Sequence, residues 1–252
     1  MTKHSTKYAS NKTPALLSLI LLIGAGPVAF AQTLDFADVK ALKKSLKPSF
    51  ESGGGTLTIA EGAVHYTVDA ATEKDFQYLL YQPARLRASQ DFTVTGRFRN
   101  DAIPEASTEL ASVGIEIYQA EDLRNRVAAT LSVARLEGFF SRTVFTQIVE
   151  GGEAVDSTYT PDLRVPIETS FRLSFDADAQ VFTVHYDSDP DEAEAWTEVG
   201  SFGINGDGGE TGNARWRMRS SEKFLVYIYG YSENMNVYEG DVAVQALSIE
   251  TN

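Results

Sequence analysis

Strict alternation of apolar and polar residues, repeated from about residue 55 to the C-terminus, limits this chain more than any other feature. In "DFTVTGRFRN" (91–100), Phe92, Val94 and Phe98 fall on one side and Thr93, Thr95, Arg97 and Arg99 on the other. In "SVGIEIYQ" (112–119), Val113, Ile115 and Ile117 alternate with Gly114, Glu116 and Tyr118. "RVAATLSVARL" (126–136), "SFRLSFDAD" (170–178), "VFTVHYD" (181–187) and "DVAVQALSIE" (241–250) repeat the pattern, and "FLVYIYGYS" (224–232) is apolar on both faces. A period of two places successive side chains on opposite faces of a strand. Gly, Pro, Asn and Asp clusters such as "EGGEAVD", "SDPDEA" and "NGDGGETGN" separate the runs. Many short alternating strands with turn signals between them predict an all-β sandwich or barrel. There is no fixed-period repeat and no Pro- or Ser-rich linker, so the body reads as one domain.

The N-terminal region departs from this period. Lys3, Lys7 and Lys12 precede the apolar run "PALLSLILLIGAGPVAF", which ends at Ala29-Phe30-Ala31. A basic stretch, an apolar stretch and an A-x-A site predict a secretory signal over 1–31. Gly24, Gly26 and Pro27 break the run short of the roughly 20 apolar residues a membrane span needs. In "LDFADVKALKKSL" (34–46), Phe36, Val39, Leu42 and Leu46 form one helical stripe, which Pro48 stops. The expected organisation is a signal (1–31), an N-terminal segment with a short helix (32–49) and a β-domain (50–252).

The formal charge is −13, and the predicted signal holds three of the 22 Lys and Arg and none of the 35 Asp and Glu. The remainder is more acidic still, which opposes non-specific binding to nucleic acid and to anionic membranes. It suits a secreted, periplasmic or extracellular protein and is compatible with calcium, which prefers carboxylate oxygens. The absence of cysteine excludes disulfides, thiolate metal sites and a cysteine nucleophile. The sequence leaves the oligomeric state open.

The order "GTLTIAEGAVHYTV", "DFTVTGRFRN", "ASVGIEIYQ" resembles the entry of concanavalin A-like jelly-roll domains. "FRLSFDADAQVFTVHYDSDPDEAEAWTEVGSF" is similar to their central hairpin, and "FLVYIYGYSENMNVYEGDVAVQALSIE" to their closing strands. The resemblance covers roughly residues 50–250 and lies in the strand pattern. It implies an antiparallel two-sheet jelly-roll sandwich. The superfamily includes lectins, laminin-G-like protein-interaction modules, carbohydrate-binding modules, glycoside hydrolases and polysaccharide lyases, among which fold alone does not choose.

Tyr227, Tyr229 and Tyr231 share one face of "FLVYIYGYS" and, with Glu116, Tyr118, Arg97, Arg99 and Arg217 on neighbouring strands, would form a glycan platform. The bland alternative is ordinary cross-strand packing. Arg215, Arg217 and Arg219 alternate as if on one strand face. Asp187, Asp189 and Asp191 stand at positions 1, 3 and 5 of an EF-hand-like register, but position 6 is Glu192 rather than Gly. They read as a solvated hairpin tip or a calcium loop. Hydrolases of the resembled fold carry E-x-D-x-x-E; "GIEIYQAED" has Glu116 but Gln119 and Ala120 where further acids belong. Alginate-lyase-like members combine an Arg strand, a Gln-Ile-His strand and a Tyr strand. Here "QIV" (147–149) has Val149 in place of the His, and His185, on the outward face of its strand, is the candidate substitute. The expectation is a non-catalytic carbohydrate-recognition module, with a polysaccharide-degrading enzyme or a laminin-G-like module as alternatives.

Overall fold

The structure, a computed structural model, describes residues 30–68, 73–136, 138–187, 195–206 and 214–251. The predicted signal up to residue 29 lies outside them, as do Asp189 and Asp191. In chain order the elements are β1 (Phe30–Thr33), α1 (Val39–Ser45), β2 (Leu46–Ser52), β3 (Gly55–Ala60), β4 (Ala63–Val68), β5 (Asp75–Arg87), β6 (Phe92–Asn100), β7 (Leu110–Gln119) and β8 (Asp122–Leu136). There follow β9 (Phe139–Glu150), β10 (Glu153–Tyr159), β11 (Glu168–Asp176), β12 (Val181–Asp187), β13 (Trp196–Gly203), β14 (Lys223–Glu233) and β15 (Val242–Thr251). They form two antiparallel sheets. One is eight-stranded, in the order β13-β12-β11-β6-β15-β4-β3, with β1 added beside β15. The other is seven-stranded, in the order β10-β9-β8-β7-β14-β5-β2.

The core lies between the sheets and is made by the alternation seen in the sequence. Val94 and Phe98 of β6, Leu173 of β11 and Val184 of β12 face Ile115 of β7, Leu131 of β8 and Ile228 of β14, and all are buried. Phe98 and Phe171 stack with ring centroids 4.0 Å apart. Phe92, Phe175, Phe182 and Phe224 form a second aromatic knot across the two sheets.

The helix is shorter than its stripe. Asp38 caps it by accepting from the backbone N–H of Lys40 and Ala41, both at 3.0 Å. It ends at Ser45, Leu46 is already extended, and Pro48 sits inside β2 instead of terminating the helix. β2 is an edge strand, where a residue without an N–H leaves no ladder bond unmade. Phe36, Leu42 and Leu46 are buried as the stripe required.

One polar cluster ties the sheets together. Tyr66 of β4 donates to Asp75 Oδ1 of β5 at 2.6 Å and lies 3.0 Å from Ser232 Oγ of β14. The backbone N–H of Gly55 donates to Asp75 Oδ2 at 2.7 Å. A Cβ at Gly53 or Gly55 would lie 2.1 or 2.3 Å from an Asp75 oxygen, so the run "SGGG" lets the backbone close over a buried carboxylate.

Candidate functional site

The registers of the seven-stranded sheet lay out its outer face row by row. Tyr231, Ser112, Ser132 and Thr143 stand side by side across β14, β7, β8 and β9; the next row is Tyr229, Gly114, Thr130 and Phe145. After it come Tyr227, Glu116, Ala128 and Gln147, and then Leu225, Tyr118, Arg126 and Val149.

Side-chain size divides this face in two. Toward β5 and β2 it is packed solid with rings. Tyr227 lies 4.9 Å from Tyr118, 6.0 Å from Tyr78 and 5.8 Å from Phe50, which covers it from β2. Tyr227 and Tyr118 are therefore 2% and 5% exposed and are not open to a ligand. Toward β8 and β9 the residues are small. Ser112, Thr130, Ser132 and Thr143 floor a groove of about 550 Å³, walled by Tyr229 and Tyr231 on one side and by Phe139, Phe145 and Tyr159 on the other. Gly114 keeps the floor low, because a Cβ there would lie 2.1 Å from the carbonyl oxygen of Ala129. The floor hydroxyls are linked: Ser112 to Ser132 at 2.8 Å and Thr130 to Ser132 at 3.0 Å. A concave, largely apolar pocket of this size with a few polar groups suits a small ligand.

At one end lies a buried ion pair. Glu116 is 2% exposed; its Oε2 accepts from the Tyr118 hydroxyl at 2.5 Å and faces Arg126 Nε at 3.4 Å. Burial raises the Glu116 pKa, and Arg126, Tyr118 and Tyr78 oppose the rise without reversing it. Burial, then the Glu116 charge, also hold the Tyr78 and Tyr118 phenols above their ordinary range. Gln147 enters the groove from β9 beside this pair.

The predicted platform is thus partly assembled. Tyr229, Tyr231 and Glu116 line the groove, while Tyr118 and Tyr227 back it. Arg97 and Arg99 are corrections. They belong to β6 of the eight-stranded sheet, across the core from the tyrosines. There both pair with Glu168, and Arg99 also pairs with Asp101. Arg217 is a third correction. It is exposed, lies between β13 and β14 outside any strand, and has a left-handed φ of 53°. Ala214, Trp216 and Met218 are buried while Arg215, Arg217 and Arg219 are exposed, so that alternation is real but belongs to an extended connection. Asp187 ends β12 in the other sheet. Among the described residues no three His, Asp or Glu side chains gather into a metal site. His185 also lies in β12, remote from the groove.

The sequence reading missed Arg126 and the hydroxyl floor. Their signal was present: if Val127, Ala129, Leu131 and Val133 face the core, then Arg126, Ala128, Thr130, Ser132 and Ala134 face out. Such a run of small residues on a central strand leaves a trough between bulkier neighbours.

No protein-family profile matches the chain, and no curated protein sequence does. Solved structures do match. A protein of unknown function from Shewanella oneidensis MR-1 is 13% identical, with 95% of this chain and 96% of that one covered and a TM-score of 0.51. Lectin II from Ulex europaeus is 9% identical, over 88% and 98%, with a TM-score of 0.53. The carbohydrate recognition domain of Emp46p, in a potassium-bound form, is 10% identical over 83% and 89%, with a TM-score of 0.50. With its two antiparallel sheets and these likenesses across nearly its whole length, the chain has the concanavalin A-like lectin jelly-roll fold.

Proposed function

We propose that this protein is a secreted, non-catalytic carbohydrate-recognition module and that the groove on the seven-stranded sheet holds the glycan. The composition of the groove carries this reading: aromatic side chains flank a floor of hydroxyls. Sugars are built the same way, with C–H faces that pack on rings and hydroxyls that exchange hydrogen bonds. The fold is in keeping with it, since the Ulex lectin has been seen with galactose and the Emp46p domain is a carbohydrate recognition domain. Glu116 is the one carboxylate lining the groove among the described residues, whereas glycoside hydrolysis uses a pair. The acidic chain argues against nucleic acid and anionic membranes as partners. Among the described residues no helix is long and apolar enough to cross a bilayer.

One observation favours a second reading. Gln147, Arg126 and Tyr229 all line the groove, which supports a lyase-like enzyme with Arg126 in the place expected for Arg97. Among the described residues no histidine joins them in lining the groove. Of the three carboxylates proposed for structural calcium, Asp187 ends β12, and Asp189 and Asp191 lie outside the described residues. Thermal unfolding with calcium and with chelator tests the acidic loop: a calcium-dependent rise in Tm supports an ion there, and coincident curves remove it.

The deciding experiment incubates the protein with neutral and acidic polysaccharides and reads retention and soluble oligosaccharide together. Retention without product is the expected result. Product release establishes the enzyme instead. Neither, across the panel, leaves a laminin-G-like protein-interaction module as the reading.

A further inference from the structure

We infer that the groove takes uncharged sugars and that Glu116 sets this selectivity by cancelling the charge of Arg126. The inference rests on the glycan reading above. Among the described residues Glu116 and Arg126 are the two charged side chains lining the groove, and they face each other at 3.4 Å. The Tyr118 hydroxyl donates to the same carboxylate oxygen at 2.5 Å, which holds the carboxylate against β8. The Glu116 side chain is 3% exposed and that of Arg126 24%, so a ligand meets the guanidinium and Glu116 acts through it. Glu116 is thus a positioning residue. A uronate arriving here finds no uncompensated cation among the described lining residues, has the Glu116 charge behind the guanidinium, and approaches a chain of net charge −13. Burying an anion without a free countercharge is costly. An uncharged sugar meets no such cost. The linked hydroxyls of Ser112, Ser132 and Thr130 rotate to donate or accept as its hydroxyls require.

Among the described residues the other titratable groups around Glu116 are phenols: Tyr118 on its own strand, Tyr78 from β5, and Tyr227 and Tyr229 from β14. Burial raises the Glu116 pKa, so the test is run at mildly alkaline pH, which favours the ionised carboxylate.

The test measures retention of wild type and Glu116→Gln on immobilised glucan, galactan and mannan, and on alginate and pectate, at low and high salt. Wild type should be retained on at least one neutral polymer, independently of salt, and not on the acidic ones. Glu116→Gln frees one guanidinium for a charge-assisted hydrogen bond, so acidic-polymer retention should rise roughly tenfold or more and fall again with salt. Salt-sensitive retention of wild type on alginate or pectate would overturn the inference and leave the glycan reading standing. No retention on any polymer would overturn both. A folded Glu116→Gln protein with no gain on acidic polymers removes the role given to Glu116. If that variant does not fold, the wild-type arms decide alone.

Discussion

Asp75 shows what one residue can require of its neighbours. Its carboxylate is fully buried, and burial without partners would cost several kcal/mol, so Tyr66 and the Gly55 N–H are obligatory company. Replacing Tyr66 by Phe removes one donor and leaves the shape. A denaturant titration should read a loss of about 1–3 kcal/mol, and an unchanged midpoint would mean the cluster contributes nothing. Glu116 makes a pH-dependent contribution of unusual sign. Its pKa is raised in the folded state, so the folded chain binds its proton more tightly than the unfolded chain does. Between the ordinary carboxylate pKa and the raised value, this residue therefore makes stability fall as pH rises, with no further change above. Stability against pH for wild type and Glu116→Gln checks it: the slope in that window should flatten in the variant, and parallel curves would refute the shift.

The elements show which parts of the fold were legible. β6, β11 and β12 each bury one face, so their alternation announced both the strand and its inward side, whereas β7, β8 and β14 bury much of their outer face as well. β10 was read as a turn cluster because its residues are mostly exposed and leave no apolar alternation to see. β5 gives no clear strand signal in the sequence: a proline and consecutive apolar residues in "FQYLLYQPARLR" hide its period. Arg97 and Arg99 were placed on the outward face correctly and on the wrong sheet. Alternation tells inside from outside, but a strand's outer residues look the same whichever sheet it joins. Size along the outer face of β8 is the readable sign of the groove. Ser132 lies at the middle of the hydroxyl chain, and Ser132→Phe should fill the trough. We expect glycan retention to be lost with Tm little changed, because the added ring points away from the core. Retained binding in a folded variant would place the ligand elsewhere.

For the whole molecule, a likeness near 10% identity to known jelly rolls shows that strand order and burial, not particular residues, define this architecture. With no cysteine, the sandwich relies on its core and its ladders. The last strand is central to both. β15 pairs with β6 on one side and β4 on the other, and β1 joins its far end. Deleting residues 242–251 should therefore abolish folding. Circular dichroism and limited proteolysis would check this, and a protease-resistant truncated chain would show the sheet closes without it. The placement of β15 also sets a clock. Synthesis runs from the N-terminus, yet the middle of the eight-stranded sheet is supplied by residues 242–251, long after β3, β4 and β6. β15 must be made before this sheet can close, which leaves an interval in which β3, β4 and β6 are already synthesised and their shared partner is not, with their edges open to any chaperone that reaches them first.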